Sequence, residues 1–313
     1  MARVDGRRGS AAGDDLRRRS ERGLGRLELS MPRRAGAAGV VAGAAAVALV
    51  AANLAIVEPP PSEAATTDGT GAGFELTAAH VGPSTTFFDA EDRAQVRYRF
   101  SASRRLDVLI RVVRRRDGET VRRWTEDGLA AGKLHRRRWD GRESNGDVAG
   151  DGTYEFRIGA PGHDGAPAGR FAFHDHVFPV AGEHSYGDRF GEPRSGGRVH
   201  EGQDLPSPCS TPLLAARGGR VQNEGYSDAL YGYYVTIDGL ASNRDYFYAH
   251  LEAPSPLAEG DRVRTGQQVG AVGNTGNARS EFCQLHLELW PDGYRNGSPQ
   301  DPLGLLQLWD SFS

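Results

Sequence analysis

The stretch Gln284-Leu285-His286-Leu287-Glu288-Leu289 alternates polar and apolar residues without interruption. Successive side chains of a β-strand point to opposite faces, so its three leucines form one apolar face and its three polar residues form the other. The pattern predicts a strand that packs against a core on one side. On the other side it presents an amide, an imidazole and a carboxylate to a polar cleft, where we expect a functional site.

A second polar pair lies upstream, in Gly196-Gly197-Arg198-Val199-His200-Glu201-Gly202-Gln203-Asp204-Leu205. His200 and Asp204 offer a neutral imidazole and a carboxylate, which are two of the three protein ligands in a His/His/carboxylate zinc site. The pair His200-Glu201 also begins the helical His-Glu-x-x-His motif, but the surrounding glycines and Pro206 favour a loop or extended chain. In extended chain Glu201 points away from His200, so we do not expect it to act as a general base.

Short apolar stretches separated by glycine turns recur through residues 181–313, which predicts an all-β domain. The strand candidates are 213–216, 233–237, 245–250, 267–272 and 284–290, and only 302–309 suggests a short helix. In the third of these strands the same alternation places Tyr246, Tyr248 and His250 on one face.

Residues 74–180 have the pattern of another β-domain, with strand candidates at 96–100, 106–113 and 154–158. Asp117-Gly118 and Asn145-Gly146 are dipeptides typical of hairpin turns. Residues 139–154, which begin Trp-Asp-Gly-Arg-Glu-Ser-Asn-Gly-Asp-Val and end Gly-Thr-Tyr, resemble the Ig-like module of flagellar hook-capping proteins. That resemblance implies a small Ig-like β-sandwich, used as a spacer or a binding arm, in which the Trp packs beneath a turn.

Arginine runs at 114–116 and 136–138 could contact anionic polymers, but runs of this kind are usually solvated faces, which is what we expect here. Charge is nearly balanced over the whole chain, with 38 Lys and Arg against 41 Asp and Glu. No stretch is basic enough to predict nucleic acid binding, which needs a clustered cationic surface.

The N-terminal part predicts export. Residues 1–34 are rich in Arg and lack hydrophobic periodicity, which predicts disorder. Residues 35–57 contain no charge and are long enough to span a bilayer as a helix. Because Arg33 and Arg34 precede this run, its N-terminal side is expected in the cytoplasm.

Two outcomes remain open for the apolar run. It stays as an anchor in the inner membrane, or Met31 is the true start and the run is a signal peptide, with small residues at Ser62-Glu63-Ala64 for cleavage. In both cases a linker at 58–73 follows, and the remainder of the chain lies outside the cytoplasm, membrane-anchored or secreted.

Five short motifs of the C-terminal domain, taken in order, resemble those of the lysostaphin-type zinc endopeptidases, which cut peptidoglycan peptides. They lie at residues 197–204, 248–251, 259–270, 273–276 and 285–288. The resemblance implies an antiparallel β-sheet peptidase that binds Zn²⁺ and acts on a peptidoglycan peptide. It further implies that His200, Asp204 and His286 bind the metal and that His250 lies beside the metal-bound water, with Glu288 and Tyr248 behind these groups.

One position departs from that family. The family normally has His-x-His where this chain has Gln284-Leu285-His286, and its first His helps to activate water. An amide cannot take up a proton near neutral pH, so His250 is left as the candidate base. Loss of one of two acid–base groups would slow the enzyme without abolishing its activity.

Two alternatives therefore stand beside an active peptidase. One is a catalytically weak, zinc-containing domain that binds peptidoglycan or regulates another wall hydrolase. The other is an adhesion or scaffold protein led by the Ig-like module, which leaves the zinc constellation unexplained.

Cys209 and Cys283 are the only cysteines. If Asp204 and His286 meet at one zinc ion, the two thiols come close, and an exported protein would join them in a disulfide. Thiolate ligation of a structural zinc is the alternative, but it needs more Cys or His nearby. We expect His174-Asp175-His176 to form an exposed polar turn rather than a second metal site.

Overall fold

The computed structural model describes residues 73–279 and 282–313. The predicted disordered segment, the apolar run at 35–57 and nearly all of the linker lie outside these residues. No helix within them is both long and apolar enough to cross a bilayer. They form sixteen strands and one α-helix, which agrees with the predicted all-β class.

Residues 73–180 form two sheets that share one core. Three strands are ordered β1-β3-β6 and five are ordered β2-β8-β7-β4-β5. All pairs are antiparallel except β2 with β8. The strands are β1 (Glu75–Gly82), β2 (Thr85–Phe87), β3 (Gln95–Ser101), β4 (Leu106–Arg114), β5 (Thr120–Leu129), β6 (His135–Arg138), β7 (Gly152–Gly159) and β8 (Ala166–His174).

The alternation in β3 has the predicted consequence: Val96, Tyr98 and Phe100 are buried, and they pack in one cluster with Ile110 of β4 and Phe156 of β7. The arginines between them are exposed. This region is therefore a β-sandwich. Its assignment as Ig-like stays a prediction.

Trp139 lies at the centre of the sandwich, with 1% of its surface exposed. Its indole Nε1 donates a hydrogen bond to the carbonyl of Arg142 (2.8 Å), which closes the turn above it. Its ring centroid lies 5.0 Å from those of Tyr154 and Phe173. The tryptophan thus links the turn to the late strands of the sandwich.

Residues 181–313 form a six-stranded antiparallel sheet ordered β14-β11-β12-β13-β16-β9, with β10 and β15 paired apart from it. The elements are β9 (Gln203–Pro206), β10 (Pro212–Leu214), β11 (Gly219–Ser227), β12 (Gly232–Gly239), β13 (Arg244–Leu251), β14 (Arg262–Val263), β15 (Gln268–Ala271), β16 (Gln284–Pro291) and α1 (Leu303–Asp310). Leu285, Leu287 and Leu289 of β16 enter the core, as their alternation predicts. The short terminal helix is confirmed as α1.

The segment His174-Asp175-His176 corrects our expectation of an exposed turn. His176 is 4% exposed, its ring stacks on Trp309 of α1 at 4.5 Å, and its Nε2 lies 2.6 Å from the hydroxyl of Tyr246. Aromatic groups that are distant in sequence cover it. Asp175 also accepts a hydrogen bond from the buried Arg217 (3.2 Å). The segment therefore joins the sandwich to the sheet.

We predict that Trp139→Ala lowers the free energy of unfolding by about 3–5 kcal/mol, because it removes a fully buried ring and leaves a cavity. Urea unfolding followed by fluorescence measures the loss. Leu134→Ala, at a side chain that is 58% exposed, is the control and should cost far less. Equal losses in the two variants would contradict this placement of Trp139.

Candidate metal centre

Pairing between β9 and β16 builds the site. The antiparallel register places Asp204 directly opposite His286. Gly202, just before β9, lies so close to β16 that a Cβ there would be 2.3 Å from the backbone oxygen of Leu287. His200 precedes this contact on a loop, and its backbone N–H donates to the carbonyl of Glu192 (2.8 Å).

Three candidate ligand atoms converge. His286 Nδ1 lies 2.8 Å from Asp204 Oδ1 and 2.9 Å from His200 Nε2, and His200 Nε2 lies 3.1 Å from the same carboxylate oxygen. All three side chains are buried. Within the described residues, no other group of three or more His, Cys, Asp or Glu side chains has such an arrangement.

The remaining ring nitrogens are anchored, as they are in metal sites. His200 Nδ1 donates to the carbonyl of Arg189 (2.8 Å), and His286 Nε2 donates to Glu288 Oε1 (3.0 Å). These bonds fix the tautomers, so that each ring directs an unprotonated nitrogen to the common point when it is neutral. Two imidazoles and a carboxylate with this support fit a divalent metal, zinc first among them.

Without a metal, hydrogen bonds among these side chains shift the pKa values of His286 and Asp204 in opposite directions. Burial alone would lower the pKa of His286, but hydrogen bonds with Asp204 and Glu288 raise it to about 9. Burial alone would raise the pKa of Asp204, but hydrogen bonds from His200 and His286 hold it well below its usual range. The carboxylate is therefore ionised and His286 protonated at neutral pH until a metal displaces the proton.

His250 faces the same centre, with its ring centroid 5.9 Å from that of His286. Its Nδ1 donates to the carbonyl of Thr275 (2.8 Å), which leaves Nε2 free to accept a proton. Burial and the charge of His286 lower the pKa of His250 to about 4. His250 is thus a neutral base at any pH near 7.

The predicted shared face of Tyr246, Tyr248 and His250 is wrong. The tyrosines pair with Leu289 and Leu287 and lie in the core of the sheet. His250 departs from the alternation because its backbone is left-handed, with φ of 60°, and the departure turns its ring towards the candidate metal ligands.

Tyr248 therefore does not support the ligands as expected. It lies in the apolar core, and its hydroxyl accepts a hydrogen bond from the backbone N–H of Ala216 (2.8 Å). Glu288 does lie behind His286, fully buried, with its second oxygen accepting from the indole of Trp290 (2.6 Å).

A cavity of about 160 Å³ opens onto the centre. Gln284, 9% exposed, lines it together with His250 and the three ligands. Tyr231 lines it as well, and its hydroxyl accepts a hydrogen bond from Arg295 (3.1 Å). No pattern in the sequence marks Tyr231, because the turn in which it lies has no periodicity.

Arg194 was also missed. Its guanidinium donates to Asp188 (2.8 Å) and lies 3.6 Å from Asp204 Oδ2, the carboxylate oxygen that is turned away from the histidines. A cation there favours presentation of Oδ1 to the metal. No local sequence signal marks this arginine, since its contact with Asp204 depends on the loop conformation.

The predicted disulfide between Cys209 and Cys283 is present, with the two Cα atoms 5.2 Å apart. Cys283 directly precedes Gln284, the first residue of β16. The bond spans 74 positions and is worth roughly 4 kcal/mol in the chain-entropy account. It fastens together the chain segments that carry Asp204 and His286.

Residues 198–302 match the sequence model of Peptidase family M23. A Pseudomonas aeruginosa protein named Lipoprotein NlpD/LppB homolog is 34% identical over 121 residues, which are 38% of this chain and 37% of the relative. Peptidoglycan DD-endopeptidase ShyC of Vibrio cholerae is 32% identical over 97 residues, 31% of this chain and 21% of that protein.

Glycyl-glycine endopeptidase ALE-1 of Staphylococcus capitis is 31% identical over 114 residues, which are 36% of this chain and 30% of that protein. The chain thus spans 37% or less of the length of these three relatives. The similarity agrees with the resemblance seen in the motifs at 197–288.

We predict that binding of Zn²⁺ at pH 7.5 releases about one proton, because His286, with its pKa of about 9, must lose its Nδ1 proton to the metal. Affinity should fall as the pH drops below 9. Calorimetry in buffers of different ionisation enthalpy counts the protons. Glu288→Gln removes a bond that raises this pKa, so it should release fewer protons, while Glu201→Gln serves as the control. Release that is unchanged in Glu288→Gln would contradict the account.

Proposed function

We propose that this chain is a zinc metalloendopeptidase that hydrolyses peptide bonds in bacterial peptidoglycan. The observation that supports the proposal most strongly is the convergence of His200, Asp204 and His286 in one cavity, with the neutral base His250 facing them. The match of residues 198–302 to Peptidase family M23, and the activities after which the two endopeptidase relatives are named, support the substrate class.

His200 Nε2, Asp204 Oδ1 and His286 Nδ1 would hold the zinc ion. Three protein ligands would leave a coordination position open, as in catalytic rather than structural sites. When bound, zinc supplies Lewis acidity to the scissile carbonyl and to a water molecule. Glu288 and Arg194 keep the ligands oriented, since each bonds or faces the atom turned away from the metal.

His250 carries the proton transfers in this proposal. Its Nε2 accepts a proton from the attacking water and passes it to the leaving amine, while Thr275 holds the opposite nitrogen. A low pKa makes the neutral form dominant and the protonated form a strong acid, which suits the second transfer. Gln284 donates a hydrogen bond from its amide to the substrate or to the developing oxyanion.

A second candidate function rests on Gln284 itself. Because its amide cannot exchange a proton, the same site suits a catalytically weak domain that binds peptidoglycan or regulates another wall hydrolase. The ligand set is complete in both candidates, so the rate of hydrolysis separates them.

The proposed location is outside the cytoplasm. The disulfide between Cys209 and Cys283 supports it, because such bonds persist in oxidising compartments. Residues 35–57 would supply the anchor in the inner membrane or the signal for export, and the sandwich would act as a spacer or a binding arm.

We predict that the zinc-loaded protein releases new amino ends from purified peptidoglycan, and that His250→Gln lowers kcat by about 10²- to 10⁴-fold because a positioned base is lost. Amino-group labelling and mass spectrometry of the fragments measure the release. His200→Ala, which loses a metal ligand, is the inactive control. Absence of new ends from every peptidoglycan type tested, with stoichiometric zinc bound, would refute the proposal.

Gln284→His separates the two candidates. We predict an increase in kcat that stays within about 10²-fold, since one base already operates and the second adds only part of the acid–base contribution. The measurement compares initial rates on the same peptidoglycan. A large gain from a baseline near zero would instead favour the regulatory candidate.

A further inference from the structure

The outer face of the three-stranded sheet carries four exposed arginines. They are Arg97 and Arg99 of β3 and Arg136 and Arg138 of β6, and we call this surface the basic sheet face. Arg97 lies directly opposite Arg136 in the ladder, so their side chains leave the sheet side by side. The alternation that buries Tyr98 sends all four outward.

Like charges directly opposite one another destabilise a sheet. Within the described residues, no carboxylate pairs with Arg97 or Arg136 at 4.0 Å or less. Arg138 Nε donates to Gln95 (3.0 Å) and Arg99 to the carbonyl of Gly132 (3.0 Å), both neutral partners. The repulsion between these arginines is therefore left unbalanced by the protein itself.

Several arginines on the five-stranded sheet of the same sandwich, in contrast, form ion pairs with carboxylates. Arg114 forms ion pairs with Asp117, Glu119 and Glu143. Glu155, 2% exposed, is surrounded by three arginines. Acidic partners thus accompany these arginines of the five-stranded sheet, while the four arginines of the basic sheet face have none within the described residues, which a merely solvated face does not explain.

We propose that the basic sheet face binds a linear polymer of phosphodiester groups of the cell envelope. A guanidinium group donates two parallel hydrogen bonds to the oxygens of one phosphate. Neighbouring strands lie about 4.8 Å apart and alternate residues along a strand about 6.8 Å apart, which spaces the four cations as a flat grid suited to successive phosphates.

An anionic membrane is the competing ligand. Lasting attachment at a membrane surface needs apolar side chains as well as charge. Of the large apolar residues exposed in the described part of the sandwich, Leu134 is the one beside this face. The geometry therefore favours a polymer over a membrane surface. The surface is separate from the candidate metal centre. Failure of polymer binding would therefore leave the proposed peptide hydrolysis untouched, and the reverse also holds.

The test measures binding of the full-length protein to fluorescent long-chain inorganic polyphosphate by anisotropy, between 50 and 200 mM salt. Arg97→Gln combined with Arg136→Gln should weaken binding about 10- to 100-fold at the lower salt and reduce the slope of log Kd against log salt by about 2. The matched control is Arg116→Gln combined with Arg123→Gln. It changes net charge equally, at β5 and at the turn that precedes it, and should weaken binding by no more than about 3-fold.

Equal losses in the two double variants would overturn the proposal, because net charge alone would then explain binding. Binding to phosphatidylglycerol vesicles without binding to polyphosphate would overturn the choice of a polymer. Tighter binding to duplex DNA at equal phosphate concentration would overturn the cell-envelope source, because DNA is itself a polymer of phosphodiester groups. The Arg97/Arg136 variant should melt at the same temperature as the parent or higher, since a repulsion is removed. A lower melting temperature would contradict the premise that the pair is unbalanced.

Discussion

The antiparallel pairing of β9 with β16 is the constraint on which the site depends. It places Asp204 opposite His286, and Gly202 allows the approach by having no side chain. A slip of one residue would exchange His286 for a leucine, because successive side chains of a strand face opposite sides. The disulfide from Cys283 fastens the same two segments just beyond the ladder, so the register is held by hydrogen bonds and by a covalent link.

The charged groups of the centre are buried, but each has a hydrogen-bonding partner of opposite charge or polarity. A buried carboxylate is costly unless it is paired, and here both histidine ligands lie within hydrogen-bond distance of Asp204. The same surroundings separate two neighbouring histidines, raising the pKa of His286 to about 9 and lowering that of His250 to about 4. Under the proposed function this separation would give the two imidazoles different roles: His286 would give up its proton to a metal, and His250 would stay neutral as a base.

The sandwich and the sheet are joined by side-chain contacts as well as by the backbone. His176 lies between them, stacked on Trp309 and bonded to Tyr246, while Arg217 bonds Asp175 and lies over the ring of Phe88. These buried polar contacts are satisfied on both sides, so they favour one arrangement of the two regions. The sandwich is thus positioned with respect to the sheet that carries the candidate metal centre, which suits a binding arm better than a loose spacer.

The sequence by itself determined the strands whose faces differ in polarity, the terminal helix and the identity of the three candidate ligands, because alternation and motif order are local properties. Tertiary structure alone decided the face of His250, which a left-handed backbone turns against the alternation. It also decided the burial of His176 and the contact of Arg194 with Asp204. The first depends on one backbone angle, and the other two depend on contacts between residues far apart in sequence. Neither a single backbone angle nor a long-range contact produces a periodic pattern in the sequence.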